Sequence, residues 1–167
     1  IRAGDAVNFS IGQGDTVITP IKLAQMYAAI GNGGTIWKPT VAKAIVKTDG
    51  TVLKTFSPEK LGAIPANKET MKFLKSALRE VVVSGTGAGV FSGFPLAISG
   101  KTGTAQVFGK NPNGSQKSDT SWFASYGPTE KPRYAVVMMV SQGGFGACTS
   151  GIGVRKIYET LLGVQGS

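Results

Sequence analysis

The chain has 167 residues, 41% of them apolar, and 18 Lys and Arg against nine Asp and Glu give it a net charge of +9. That length supports one domain with its own core, and no run approaches the roughly 18 successive apolar residues of a membrane span. Histidine is absent and cysteine occurs once, at Cys148. This removes Ser-His-Asp and Cys-His catalysis, His-based zinc sites, internal disulfide frameworks and multi-Cys metal sites.

In chain order, Ile1-Arg2-Ala3-Gly4-Asp5 is neither a signal peptide nor a start, and reads as the interior of a longer chain. Thr19-Pro20 predicts a helix start, a hydroxyl N-cap followed by a proline whose missing N–H costs nothing there. Ile21, Leu23, Ala24, Tyr27, Ala28 and Ile30 then recur at helical spacing until Gly31-Asn32-Gly33-Gly34. The run TVAKAIVKTDGTVLKTF predicts a hairpin with a type I′ turn at Asp49-Gly50. Asn67 is placed to cap a helix whose inner face is Met71, Leu74, Leu78 and Val81 or Val82, and Gly85-Thr86-Gly87-Ala88-Gly89 breaks it. A strand is expected near Leu96–Val107, then a polar loop from Gly109 to Asp119 with too little to bury to stay still. Two further strands, SWFASYG and RYAVVMMVS, are joined by PTEKP, and a glycine-rich loop leads to a last helix. Ser150 is its candidate cap, and Ile157, Leu161 and Leu162 its candidate stripe. Strands joined by such short loops are antiparallel, so the expected class is α+β, an antiparallel sheet with packed helices.

The stretch LAISGKTGTAQV contains two motifs at once. Gly100-Lys101-Thr102 is how a phosphate-binding P-loop ends, but such a loop needs a glycine five positions earlier, where this chain has Pro95. A P-loop also opens a helix, whereas TGTAQVF continues with strand alternation. Gly85–Gly89 has neither the spacing nor the preceding strand of a dinucleotide loop. The cations are dispersed (Lys38, Lys43, Lys47, Lys54, Lys60, Lys68, Lys72, Lys75) and no aromatic-interleaved run marks a nucleic-acid surface, so no nucleic-acid partner is expected. Proximity to an anionic polymer or membrane accounts for the charge. The nine carboxylates lack the paired spacing of a glycosidase.

On a strand, Lys101 and Gly103 face one way and Thr102 and Thr104 the other, with twist able to gather the ammonium and the hydroxyls around one groove. An open edge accepts an extended peptide by β-augmentation, glycine lets it come close, and lysine with two hydroxyls suits a carboxylate. An ordinary strand with one snorkelling lysine fits those four residues equally well.

Longer stretches resemble the C-terminal half of the transpeptidase domain of class B penicillin-binding proteins. They are SIGQGDTVITPIKLAQMYAAIGNGGTIWKP, SGKTGTAQV, SWFASYGPTEKPRYAVVMMV and GIGVRKIYETLLG, in that order, from about Gly4 to Gly163. The resemblance implies the penicillin-recognising fold and a peptidoglycan D,D-transpeptidase that works by serine acylation. Lys101 would supply positive charge, and Thr102 and Thr104 would hold the substrate carboxylate. The Thr104 backbone N–H would be half of the oxyanion hole, with Gly103 and Gln106 lining the groove. The implied partners are a peptidoglycan stem peptide ending in D-Ala-D-Ala, β-lactams and a membrane glycosyltransferase; no metal or organic cofactor is implied. The implied location is the extracytoplasmic face of the bacterial membrane.

The family's Ser-x-Asn motif is absent, and the one Ser-x-x-Lys, Ser57-Pro58-Glu59-Lys60, lies downstream of a segment that should follow it. Ser57 therefore reads as part of a polar turn. The 167 residues are expected to be one part of a transpeptidase domain, without the nucleophile half, the N-terminal module or the membrane anchor, and inactive alone. The rival reading is a non-catalytic penicillin-binding sensor or peptide-binding module of the same fold.

Overall fold

The computed structural model describes residues 3–14 and 16–164. Helix α1 (Ala3–Ser10) is followed by α2 (Pro20–Gly31), which starts where expected: the Thr19 hydroxyl accepts from the Lys22 N–H at 3.4 Å, and Pro20 opens the first turn. Asn32 ends it, its Oδ1 accepting from Gly34 N–H at 3.2 Å and Thr35 N–H at 2.8 Å. Two small antiparallel ribbons follow, β1 (Thr35–Trp37) with β4 (Lys60–Ala63), and β2 (Ala44–Val46) with β3 (Val52–Thr55). Strands of three and four residues are too short to leave a period in the sequence, and β1 and β4 were not foreseen.

The β2–β3 connection corrects the expected turn. Gly50 is left-handed (φ 86°), but Asp49 is not, so the turn cannot be type I′. The Gly50 N–H donates to the Lys47 carbonyl at 3.0 Å and the Lys47 N–H to Thr51 at 2.9 Å, which closes a three-residue loop. Asp49 accepts from the Thr51 N–H at 2.8 Å, and that bond holds its carboxyl below the usual carboxylate range.

Asn67 caps α3 (Lys68–Val83) by accepting from the Thr70 N–H at 2.8 Å, and Met71, Leu78 and Val82 form its buried face. A single turn, α4 (Ala88–Phe91), follows inside the glycine-rich break. The main sheet runs β5 (Ser99–Ala105), β6 (Thr120–Gly127), β7 (Tyr134–Val140), antiparallel throughout with β6 central. The polar loop before β6 pairs with itself through a Lys110–Gln116 bridge, and residues 112–118 are exposed. A π-helical turn (Ala147–Gly151) leads into α5 (Ile152–Leu162).

Helices cover both faces of this sheet, in agreement with the α+β reading. One face carries Phe123 and Val136 against Val90 and Phe91 of α4 and Val154 and Tyr158 of α5. The other carries Ala124 and Tyr126 against Tyr27 and Ile30 of α2 and Met71 and Leu78 of α3. The α5 stripe is thus Val154, Tyr158 and Leu162, not the expected Ile157 and Leu161, which are exposed. The heptad offered two apolar faces, and the side on which the π turn delivers the helix selects one. Ser150 is no cap either: it is buried in that turn, and its hydroxyl bonds that of Ser121 at 2.7 Å.

Burial, and secondarily the neighbouring Tyr126, pushes the Tyr27 phenol up to about 12. A phenol that ionises near 10 when unfolded and near 12 when folded stabilises the fold fully below pH 10. That contribution is lost as pH rises from 10 to 12, because only the unfolded chain is then deprotonated. Stability measured by denaturant at successive pH values should fall across that window, and Tyr27→Phe should flatten the fall.

Candidate active site

Strand β5 hydrogen-bonds to β6 along Ser99↔Tyr126 through Ala105↔Thr120 and has no strand on its other side among the described residues. Lys101, Thr102, Gly103 and Thr104 therefore lie on a sheet edge. Backbone groups of a strand alternate sides, so those of Thr104 and Gln106, whose bonds go to Gln13, point away from β6 together with those of Thr102. The Lys101 ammonium curls round the edge and donates to the Thr102 carbonyl at 2.8 Å and the Thr102 hydroxyl at 3.3 Å. Ammonium and hydroxyl meet although their side chains leave opposite faces of the strand.

The hydroxyls are held from one side. Thr102 Oγ1 lies 2.7 Å from the hydroxyl of Thr86, which stands in the glycine-rich break after α3. Thr104 Oγ1 accepts from the Gly146 N–H at 3.2 Å. Gly146 sits flat on the β5–β6 ladder: a Cβ there would overlap the Gly103 carbonyl and come within 2.5 Å of the Trp122 carbonyl. Behind it, Ser121 lies directly opposite Thr104 and donates to the Phe145 carbonyl at 3.1 Å, while the Ser150 N–H donates to the Ser121 hydroxyl at 3.1 Å. The buried serines thus tie the glycine-rich loop to the strand. Ser125 does the same for α5, within 3.1 Å of the Tyr158 hydroxyl. Burial raises that phenol well above its ordinary value, the Ser125 contact opposing the rise.

The outer edge is not bare. The Gln13 side chain spans it: its Nε2 donates to the Thr104 carbonyl at 2.9 Å, and its Oε1 accepts from the Gln106 N–H at 3.3 Å. The open edge that β-augmentation calls for is thus occupied at the Thr104 carbonyl and the Gln106 N–H. Beside it opens a cleft of about 440 Å³ lined by Gln13, Val17, Leu23, Gly103, Ala105 and Trp122. Gln106 itself is exposed. Ser57 and Lys60 are elsewhere: both are exposed, at and beyond the β3–β4 connection, on ribbons separate from the main sheet. Thr86, Gly146 and Gln13 were missed as site residues. The repeated Gly-x-Gly spacing around Gln13 and Thr86 was visible in the sequence, but nothing local says that these turns meet β5.

The family model of the penicillin binding protein transpeptidase domain matches residues 3–159. The chain belongs to this family. It is similar to the peptidoglycan D,D-transpeptidase FtsI homolog of Mesostigma viride, at 31% identity over 172 residues that cover 93% of this chain and 28% of that protein. Among solved structures it is similar to a chain of a peptidoglycan synthase complex that coordinates polymerization and crosslinking, at 32% identity and TM-score 0.81, covering 98% of this chain and 27% of that one. It is also similar to penicillin-binding protein A of M. tuberculosis in an imipenem acyl-enzyme complex, at 26% identity and TM-score 0.72, covering 92% of this chain and 33% of that one. These likenesses agree with the class B resemblance and with the penicillin-recognising fold. The chain spans under a third of the length of the curated penicillin-binding relatives it matches.

Proposed function

We propose that this chain carries the substrate-binding strand of a peptidoglycan D,D-transpeptidase that acts on stem peptides ending in D-Ala-D-Ala. The reading is supported above all by one observation: the Lys101–Thr104 segment lies at the outer edge of the sheet, with the lysine tip and the Thr102 hydroxyl drawn together there. An extended peptide adds to such an edge through its backbone, and its terminal carboxylate meets Lys101, Thr102 and Thr104. The carbonyl of the penultimate D-Ala lies at the Thr104 N–H, which stabilises the oxyanion as a serine Oγ adds to that carbon. The serine ester forms, and the terminal D-Ala leaves as the amine carrying the proton taken from the serine. The amine of a neighbouring strand then attacks the ester carbon, forming the cross-linking amide and returning a proton to the released serine oxygen. β-Lactams open on the same serine. Gly103 leaves room for the peptide, and Gln106 lines its far end.

The serine and its base belong, on this proposal, to a part of the protein outside these 167 residues. The proposed partners are a membrane glycosyltransferase and the peptidoglycan strand, at the extracytoplasmic face of the membrane. The charge of +9 suits an anionic envelope.

The test is covalent labelling of the complete protein with a fluorescent penicillin, followed by peptide mapping. The expected adduct is on a serine outside these 167 residues. Labelling at Ser57 would overturn the assignment of the nucleophile, and absence of any adduct would favour a non-catalytic penicillin-fold binder.

A further inference from the structure

Gln13 makes with one side chain the two contacts that a paired strand would make with its backbone. A carboxamide has the same donor and acceptor as a peptide group, and here the donor goes to the Thr104 carbonyl and the acceptor to the Gln106 N–H. Those are the outward groups on which an incoming extended peptide would continue its ladder beyond the reacting end. The Thr104 N–H and the Lys101–Thr102 end of the edge are left to the substrate's terminus. The edge is therefore divided at Thr104: beyond it the Gln13 side chain fills the ladder, and before it the outward groups of Thr102 meet only the Lys101 ammonium and the Thr86 hydroxyl among the described residues.

The turn that holds Gln13 is flanked by glycine on both sides. Gln13 stands between Gly12 (φ 75°) and Gly14 (φ 83°), both left-handed, and its N–H donates to the Asn8 carbonyl at the end of α1 at 2.9 Å. A glycine on either side of Gln13 lets the turn change course at little steric cost. Gln13 is half-buried, so its amide sits in the groove rather than in solvent.

We propose that Gln13 is a latch on the substrate strand, a built-in competitor that must leave the Thr104 carbonyl and the Gln106 N–H before a stem peptide can extend along β5. The inference rests on the substrate-strand reading above and names how that strand is regulated. A carboxylate that reaches only the Lys101–Thr102 end binds without displacing Gln13, whereas a peptide whose penultimate residue pairs with Thr104 displaces it from the Thr104 carbonyl, and a longer one from the Gln106 N–H as well. The latch thereby selects for chain length and penalises loosely matched peptides.

The experiment uses the complete protein and its Gln13→Ala and Gln13→Glu variants. Alanine removes both contacts; a carboxylate keeps the acceptor but cannot donate to the Thr104 carbonyl, and so opens the latch without changing size. A fluorescently labelled pentapeptide ending in D-Ala-D-Ala is titrated by anisotropy, and covalent labelling by fluorescent penicillin is measured separately. Both variants should bind the pentapeptide roughly 3- to 10-fold more tightly, the equivalent of removing a competing hydrogen bond. Free D-alanine, whose carboxylate reaches only the Lys101–Thr102 end, should bind all three proteins alike. Unchanged or weaker pentapeptide binding in a folded variant, no peptide binding by any of the proteins, or loss of folding in both variants would overturn the latch. Loss of penicillin labelling alone overturns the proposed reaction and leaves the latch to be judged on peptide affinity.

Discussion

Lys101→Ala in the complete protein should slow acylation by a fluorescent penicillin by roughly 10- to 100-fold, the equivalent of about 1.5–3 kcal/mol for a hydrogen bond to a charged group. Lys101 is exposed, and its ammonium reaches the Thr102 carbonyl and hydroxyl at the outer edge, where the substrate carboxylate is proposed to dock. No carboxylate of the chain pairs with it among the described residues, so its charge is available to a ligand. Because the side chain is exposed, the substitution should move folding stability by no more than about 0.5 kcal/mol. Acylation and stability should thus separate: slow labelling in a protein with unchanged denaturant midpoint. Lys101→Met keeps the stem and should be as slow as the alanine variant if charge is what matters. An acylation rate unchanged in both would remove Lys101 from the site. Thr104→Ala is a less clean probe, because the Gly146 N–H donates to that hydroxyl and would lose its acceptor.

Phe123→Ala should destabilise the domain by about 3–5 kcal/mol, the range for deleting a buried aromatic ring. Phe123 is fully buried on central strand β6, with its ring centroid 5.9 Å from that of Phe91, and pairs across the sheet with Thr102 on one side and Met138 on the other. A domain whose total stability is roughly 5–15 kcal/mol loses a large share of it by that change. The loss should appear in the denaturant midpoint, and acylation should fall with it because the cavity lies beside Thr102, the cross-strand partner of Phe123. Phe108→Ala supplies the contrast: that ring is 87% exposed and its removal should cost within about 0.5 kcal/mol. Equal effects of the two would contradict the placement of the core.

Elements were legible where the signal is local. Thr19-Pro20 and Asn67 start α2 and α3 because each cap bonds the N–H three residues on, and such contacts are written in nearby letters. Short loops dictated antiparallel pairing of β5, β6 and β7 before any contact was known. Where two local solutions were close in energy, the reading failed. Asp49-Gly50 serves a three-residue loop as readily as a type I′ turn, and α5 carries apolar residues on two faces, of which Val154 and Tyr158 are covered. Ser150 offered a cap by position, but burial beside Ser121 gave its hydroxyl a different partner.

The candidate site divides in the same way. From its residues alone the sequence determined the chemistry on offer: a lysine, two threonine hydroxyls and a glycine on one strand, with no histidine, no cysteine pair and no Ser-x-Asn beside them. Strand alternation makes that inventory readable, since it depends only on neighbours along the chain. Only the tertiary structure decided that the strand is an edge, that Thr86 and Gly146 hold its hydroxyls, and that Gln13, 91 residues before Thr104, occupies its outer face. Those contacts join segments far apart in sequence, and what brings them together is the burial of both sheet faces by α2 and α3 on one side and α4 and α5 on the other. Hydrophobic burial is non-directional and leaves no local pattern naming its partner, so the residues that complete the site become visible only once the core has placed them.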